Sequence, residues 1–228
     1  MIQPNNYQAI ANLSPCAPPR RSASGHHPDI FTDIYRDDTY LAIWQRSLSD
    51  ELKDAVTDFM DINKARQGIL AVTPHNTIET LCNTFGPNDS VATLGKDIAL
   101  LVDMFCCLFD LKRAGLRLTK LDMAMCPRFH VDRVPCRLVT TYQGVATEWL
   151  PHEVVDRSKL GAGHQGKPDE QSGLVNGTHH IQRLSLGDVA LLKGENWSGN
   201  EGAGVVHRSP PVPTGEKRLL LTLDFIDD

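Results

Sequence analysis

The chain has 228 residues, 41% hydrophobic and 22% charged, the balance of a globular domain long enough to bury a substantial core. A formal net charge of −5 gives no general attraction to nucleic acid or to an anionic membrane, so neither is expected as a partner. No apolar run of about 18 residues suits a transmembrane helix, and none comes after Arg20-Arg21 as in a secretory leader, so a cytoplasmic location is expected.

Residues 1–35 hold Pro4, Pro15, Pro18, Pro19 and Pro28 among Asn and Ser without hydrophobic periodicity, and a loosely ordered arm is expected there. Residues 36–228 read as a single domain, with 36–115 mainly helical. Leu41, Trp44, Leu48, Leu52, Val56 and Phe59 recur at three- and four-residue steps, which predicts two helices with Ser49 or Asp50 capping the second. Gly68 opens a short apolar run, Ile69-Leu70-Ala71-Val72, which is closed by Pro74 and suits an early strand. Leu94, Ile98, Leu101, Phe105 and Leu108 make the clearest helical stripe. Asn88 and Asp89 supply its start signals and Gly115 its stop. A core helix packed on a sheet accounts for the stripe.

From Leu116 the pattern becomes strand-like. Leu116-Arg117-Leu118-Thr119 leads towards Met123-Ala124-Met125, Arg137 to Tyr142 is rich in β-formers and ends at Gly144, and Thr147 to Leu150 forms a further short segment. Residues 157–178, rich in Gly, Lys, Ser and Gln, read as a long mobile loop. Beyond it come residues 181–186, a Gly187-Asp188 turn, and strand-like runs over 189–193, 204–207 and 218–225. Helices followed by many short strands predict an α+β fold, with 36–115 as helical support packed on a jelly-roll or cupin-like barrel over 116–228.

The chemistry-bearing segment is His130-Val131-Asp132. Strand residues i and i+2 share a face, so His130 and Asp132 would project together and His207 could complete the set from another strand. Two imidazoles and one carboxylate are the ligand set of facial-triad Fe(II) sites. His-x-Asp alone is uninformative, because His27-Pro28-Asp29 repeats it in the arm. The copy at 130 and 132 differs in its strand context and in the residues downstream of His207. Arg218 opens the last strand eleven residues on, where a barrel would set a guanidinium beside a metal. Among the six cysteines there is no CxxC pair; Cys126 and Cys136, which flank the His-x-Asp segment, are the two that could serve a soft metal. Lys193 is a secondary anion-binding candidate.

The order His130-x-Asp132, His207, Arg218 in a strand-rich half resembles the double-stranded β-helix of Fe(II)/2-oxoglutarate-dependent oxygenases, over about residues 116–226. The resemblance implies a metal held by His130, Asp132 and His207, with positions left open for the keto-acid end of 2-oxoglutarate and for O2. It implies that Arg218, rather than Lys217, pairs with the far carboxylate of the co-substrate, a task suited to a planar guanidinium. In the prolyl-hydroxylase-like branch a tyrosine also touches the co-substrate, and Tyr142 is the positional match. Thr140 and Trp149 are candidates for orienting the histidines, and Arg128, Arg137 and Trp149 are candidate substrate-binding residues.

More narrowly, the phrases CPRFHVDRVPCRLVTTY, TEWLP, GDVALLKG, VVHRSP and RLLLTLDF resemble a bacterial family of unknown function, numbered eighteen twenty-six, whose genes often lie near zinc-homeostasis genes. The expectation is therefore a hydroxylase-type oxygenase using Fe(II) and 2-oxoglutarate on a small-molecule or protein substrate. Two alternatives stand beside it. One is a cupin-like metal-binding protein without 2-oxoglutarate chemistry, holding Zn or another divalent ion and linked to zinc homeostasis. The other is a metal-free β-sandwich interaction module.

Overall fold

Ser49 and Asn88 open the two longest helices in the same way. Each offers a side-chain oxygen to a backbone N–H three residues on, Leu52 N at 3.2 Å and Val91 N at 2.9 Å, satisfying a donor that the first helical turn leaves free. The structure, a computed structural model, describes residues 20–226. Its strands are β1 (Arg21–Gly25), β2 (Thr39–Trp44), β3 (Gln67–Val72), β4 (Ala114–Leu121), β5 (Cys136–Gln143), β6 (Glu148–Leu150), β7 (Gln182–Arg183), β8 (Val189–Lys193), β9 (Val206–Arg208) and β10 (Arg218–Asp224). Its helices are α1 (Asp50–Ile62), α2 (Thr77–Phe85), α3 (Asp89–Phe109) and the single turn α4 (Asp169–Ser172). No helix among the described residues is long and apolar enough to cross a membrane.

In the described residues a seven-stranded sheet runs β1-β2-β8-β5-β10-β4-β3, and a three-stranded sheet runs β7-β6-β9. Only β1 and β2 pair in parallel; the other ladders are antiparallel. The central strands of the large sheet, β2, β8, β5 and β10, are buried on both faces. Towards α1, α2 and α3 it sends Leu138 and Tyr142 of β5, Leu191 of β8, and Leu219, Leu221 and Leu223 of β10, against Val56, Phe59, Leu94, Ile98, Leu101 and Phe105. The alternate residues, Val139, Ala190, Leu192 and Leu220, pack inward between the two sheets. A fully buried Leu or Phe contributes about 1.5–3 kcal/mol, so the helix-side layer is the main source of stability.

Helix and strand are thus mixed along the chain, and β1, β2 and β3 enter the large sheet; residues 36–115 do not form a separate helical support. The helix expected around Leu41 and Trp44 is strand β2. Thr39-Tyr40-Leu41-Ala42-Ile43-Trp44 is a continuous run of β-formers buried on both faces, and such a run contains helix-like spacings by coincidence. Helix α3 ends at Asp110, which adopts a left-handed conformation (φ 52°) and donates its N–H to Cys106 O, so Asp110 supplies the stop expected from Gly115. The arm expected over 1–35 lies outside the described residues as far as residue 19. Beyond it, β1 pairs with β2 and a 3-10 helix over Pro28–Tyr35 buries Phe31 and Ile34 in the core. The loop at 157–178 carries short helical turns and buries Asp169 and Ser172. Residues 123–125 form no strand, and helix α2 had no expected counterpart.

Gly194, just past β8, connects this scaffold to the candidate site. Its N–H donates to Pro135 O at 2.9 Å, and the next N–H, of Glu195, donates to Asp132 O at 2.9 Å. A Cβ on Gly194 would fall 2.0 Å from Val134 O and 2.9 Å from Asp132 O. Gly194→Ala is therefore expected to push the Asp132 segment off β8 and to destabilise the fold by about 1–3 kcal/mol, read as a lower midpoint in urea denaturation.

Candidate metal centre

The site begins with two backbone hydrogen bonds. His130 N donates to His207 O and His207 N donates to His130 O, both at 3.0 Å. This isolated antiparallel bridge sets the two residues directly opposite one another, with their rings 4.5 Å apart. Asp132, two residues on, turns its carboxylate to the same side: Oδ2 lies 3.2 Å from His207 Nε2 and Oδ1 lies 3.7 Å from His130 Nε2. One ligand atom from each of the three residues falls within 4.8 Å of the others, and no second such group occurs among the described residues.

The tautomers suit a metal. Nδ1 of His130 lies 2.9 Å from Arg128 O, and Nδ1 of His207 lies 3.1 Å from Val205 O. A carbonyl can only accept, so each Nδ1 carries a proton, which leaves each Nε2 as the ring nitrogen that faces Asp132. Burial, with His207 beside it, lowers the pKa of His130 and favours the neutral form. Burial opposes ionisation of Asp132, but His207, Arg137 and His130 together hold its carboxyl below the usual range. A divalent cation binds imidazole in its neutral form and carboxylate in its ionised form, and the shifts of His130 and Asp132 run in those directions.

Arg218 lies in the cleft beside these ligands, lined also by Met125, Cys126, Val139 and Leu220. It is completely buried. Nη1 donates to Ser209 Oγ at 2.8 Å, and Nη2 donates to Thr147 Oγ1 at 2.8 Å and Thr141 Oγ1 at 3.1 Å. Among the described residues Arg218 forms no ion pair, and its Nε has no acceptor. Burial lowers its pKa to about 10. A buried cation surrounded only by hydroxyls is costly, and it is chemically suited to receive an anion from outside the chain.

Residues 25–224 match the family described as "Protein of unknown function (DUF1826)". The chain belongs to that family. No curated protein matches this DUF1826 chain by sequence. Its fold is similar to that of JOX2, solved in complex with 2OG, Fe and JA, with a TM-score of 0.50 at 11% identity over 92% of this chain and 75% of that one. It is likewise similar to a putative oxygenase from Shewanella oneidensis, with a TM-score of 0.50 at 10% identity over 91% and 89%. At these identities the likeness is one of fold: a large sheet with a smaller one, in the manner of the double-stranded β-helix.

Within the DUF1826 fold, the residues singled out from sequence separate clearly. His130, Asp132 and His207 converge, and Arg218 joins them in one cleft. Tyr142 does not, because alternation along β5 sends Arg137, Val139 and Thr141 to the cleft and Tyr142 to the helices, where its hydroxyl donates to Asp97 Oδ2 at 2.6 Å. Arg128 reaches away from the cleft to Lys167 O and Gly166 O. Arg137 lines the cleft but is engaged by Asp132 and Asp224. Trp149 stands opposite His207 in the ladder and packs edge-on against Tyr40. The groups orienting the histidines are backbone carbonyls rather than Thr140 or Trp149.

Cys136 is buried in the helix-side core and Cys126 is exposed at the mouth of the cleft, so the pair forms no site with the histidines. Lys193 donates to Arg36 O. The second His-x-Asp copy, His27 and Asp29, is exposed and gains no third ligand among the described residues. Ser209, Thr141 and Thr147 were missed. Ser209 lies just past β9 and the threonines required the register of β5 against β10.

Tyr142→Phe separates these roles. It removes a buried hydrogen bond to a carboxylate, so unfolding should become easier by about 1–3 kcal/mol, while the affinity for Co(II), measured by titration, should remain that of the wild type.

Proposed function

We propose that this DUF1826 protein is an Fe(II)/2-oxoglutarate-dependent oxygenase of hydroxylase type, with His130, Asp132 and His207 as metal ligands and Arg218 as the anchor for the co-substrate. Arg218 carries the reading. Among the described residues no carboxylate pairs with it directly, and it lines the cleft with His130 and His207, with a fork suited to a carboxylate. Ser209, Thr141 and Thr147 hold that fork in plane. Fe(II) bound there, with 2-oxoglutarate and O2, supplies the oxidising power to hydroxylate a C–H bond as the co-substrate loses CO2 and becomes succinate. The residues fit the metal because both Nε2 atoms are free of hydrogen-bond donors and Asp132 is ionised. Val139, Leu220 and Met125 give the cleft an apolar wall. The fold shared with JOX2, which binds Fe and 2OG, supports the same reading.

The test is spectroscopic. Protein prepared anaerobically with Fe(II) should develop a weak visible charge-transfer band when 2-oxoglutarate is added. His130→Ala should abolish the band. Arg218→Ala should weaken 2-oxoglutarate binding by about 2 kcal/mol or more, the usual cost of truncating one member of a buried charge pair, and Arg218→Lys should recover only part of it. A metal that binds without producing the band would favour metal binding without 2-oxoglutarate. Metal content unchanged in His207→Ala would overturn the ligand assignment itself.

A further inference from the structure

Arg137 is the one cleft-lining guanidinium that touches a metal ligand. Nη1 donates to Asp132 Oδ2 at 2.7 Å, while Nε and Nη2 donate to the two oxygens of Asp224 at 2.7 and 3.0 Å. Arg137 and Asp224 face each other in the β5–β10 ladder, so the fork is anchored on two strands of the large sheet before it reaches Asp132. Asp132, by contrast, lies on an irregular segment outside any strand and has no ladder to fix its side chain.

We infer that Arg137 is a positioning residue for the metal: gripped by Asp224, it holds the Asp132 carboxylate turned towards the two imidazoles. The inference rests on the reading that His130, Asp132 and His207 bind a divalent cation. It replaces the substrate-binding role expected from sequence, because each nitrogen of the guanidinium already donates to a carboxylate of this chain. A carboxylate left unrestrained rotates about its last torsion, and a ligand that must be reoriented on binding lowers affinity; partners of this kind are commonly worth 10–100-fold in metal binding.

The competing effect has the opposite sign. A guanidinium near a metal repels it, so if Arg137 acted only through its charge, removing it would tighten binding. Asp224 already offsets much of that charge, which leaves orientation as the larger effect. Lysine makes the distinction sharper, since it keeps the charge but lacks the fork that can grip Asp224 and reach Asp132 together.

Co(II) serves as the probe. Its affinity and ligand-field spectrum would be measured for wild type, Arg137→Ala, Arg137→Lys and His207→Ala, each shown to be folded by circular dichroism. Roughly tenfold weaker binding in Arg137→Ala is expected, with an altered spectrum and a smaller but definite loss in Arg137→Lys. Co(II) binding that is unchanged or tighter in both Arg137 variants would sink the inference while leaving the metal site intact. A wild type that fails to bind Co(II), or His207→Ala binding as well as wild type, would instead remove the metal reading on which it rests.

Discussion

The reciprocal backbone bonds between His130 and His207 are the constraint on which the site depends. They join two segments far apart in the chain, and closing so long a loop carries an entropic cost that grows only slowly with length. That cost is met by the sheets. β9 is held by β6, and the Asp132 segment is held by backbone bonds from the end of β8. With both partners fixed, the histidine rings have little choice but to lie side by side, and Asp132, outside any strand, meets them with its carboxylate bonded to Arg137 Nη1. The two histidines are therefore gathered by main-chain geometry.

Three arginines in or beside this cleft show how differently a buried cation can be accommodated. Arg208 is surrounded by Glu148, Asp169 and Glu170 and lies over the Phe129 ring. Because Phe129 N also donates to Asp169, Arg208 ties the 157–178 segment to the chain just before His130, which makes that segment part of the site's support. Arg137 is neutralised by two carboxylates. Arg218 alone has none, and only hydroxyls solvate it. The desolvation cost of a charge is offset by paired counter-charges in the first two cases and left standing in the third. Two cations paired with carboxylates and one solvated by hydroxyls thus line the same cleft.

Much of this was legible in the sequence, for identifiable reasons. His207 and Arg218 could be chosen because chain order and strand context are local properties that the sheets preserved; the strand expected to carry His130 and Asp132 is reduced to an isolated bridge at His130, with Asp132 outside any strand. Strands β3, β4, β5, β8 and β10 announced themselves through β-branched and leucine-rich runs. Strand β2 did not, because a strand buried on both faces shows no polar alternation and mimics part of a helical stripe. Tyr142 was misplaced for a related reason: both neighbouring faces of β5 are buried, so composition cannot tell the cleft side from the helix side. The ion pairs of Arg137 and Arg208 depend on ladder register across distant strands, which no local pattern encodes.

The double burial that obscured those assignments is also what lets the fold carry an uncompensated cation. On β10, Leu219, Leu221 and Leu223 sink into the helix-side core while Arg218, Leu220 and Thr222 face the cleft; β5 divides in the same way. Each strand is anchored by one face and works with the other. The residues that anchor β10 in the core are thus not those that line the cleft beside Arg218. Stability and function are separated by strand parity. A helix, whose faces blend into one another over 3.6 residues per turn, could not divide the two so cleanly.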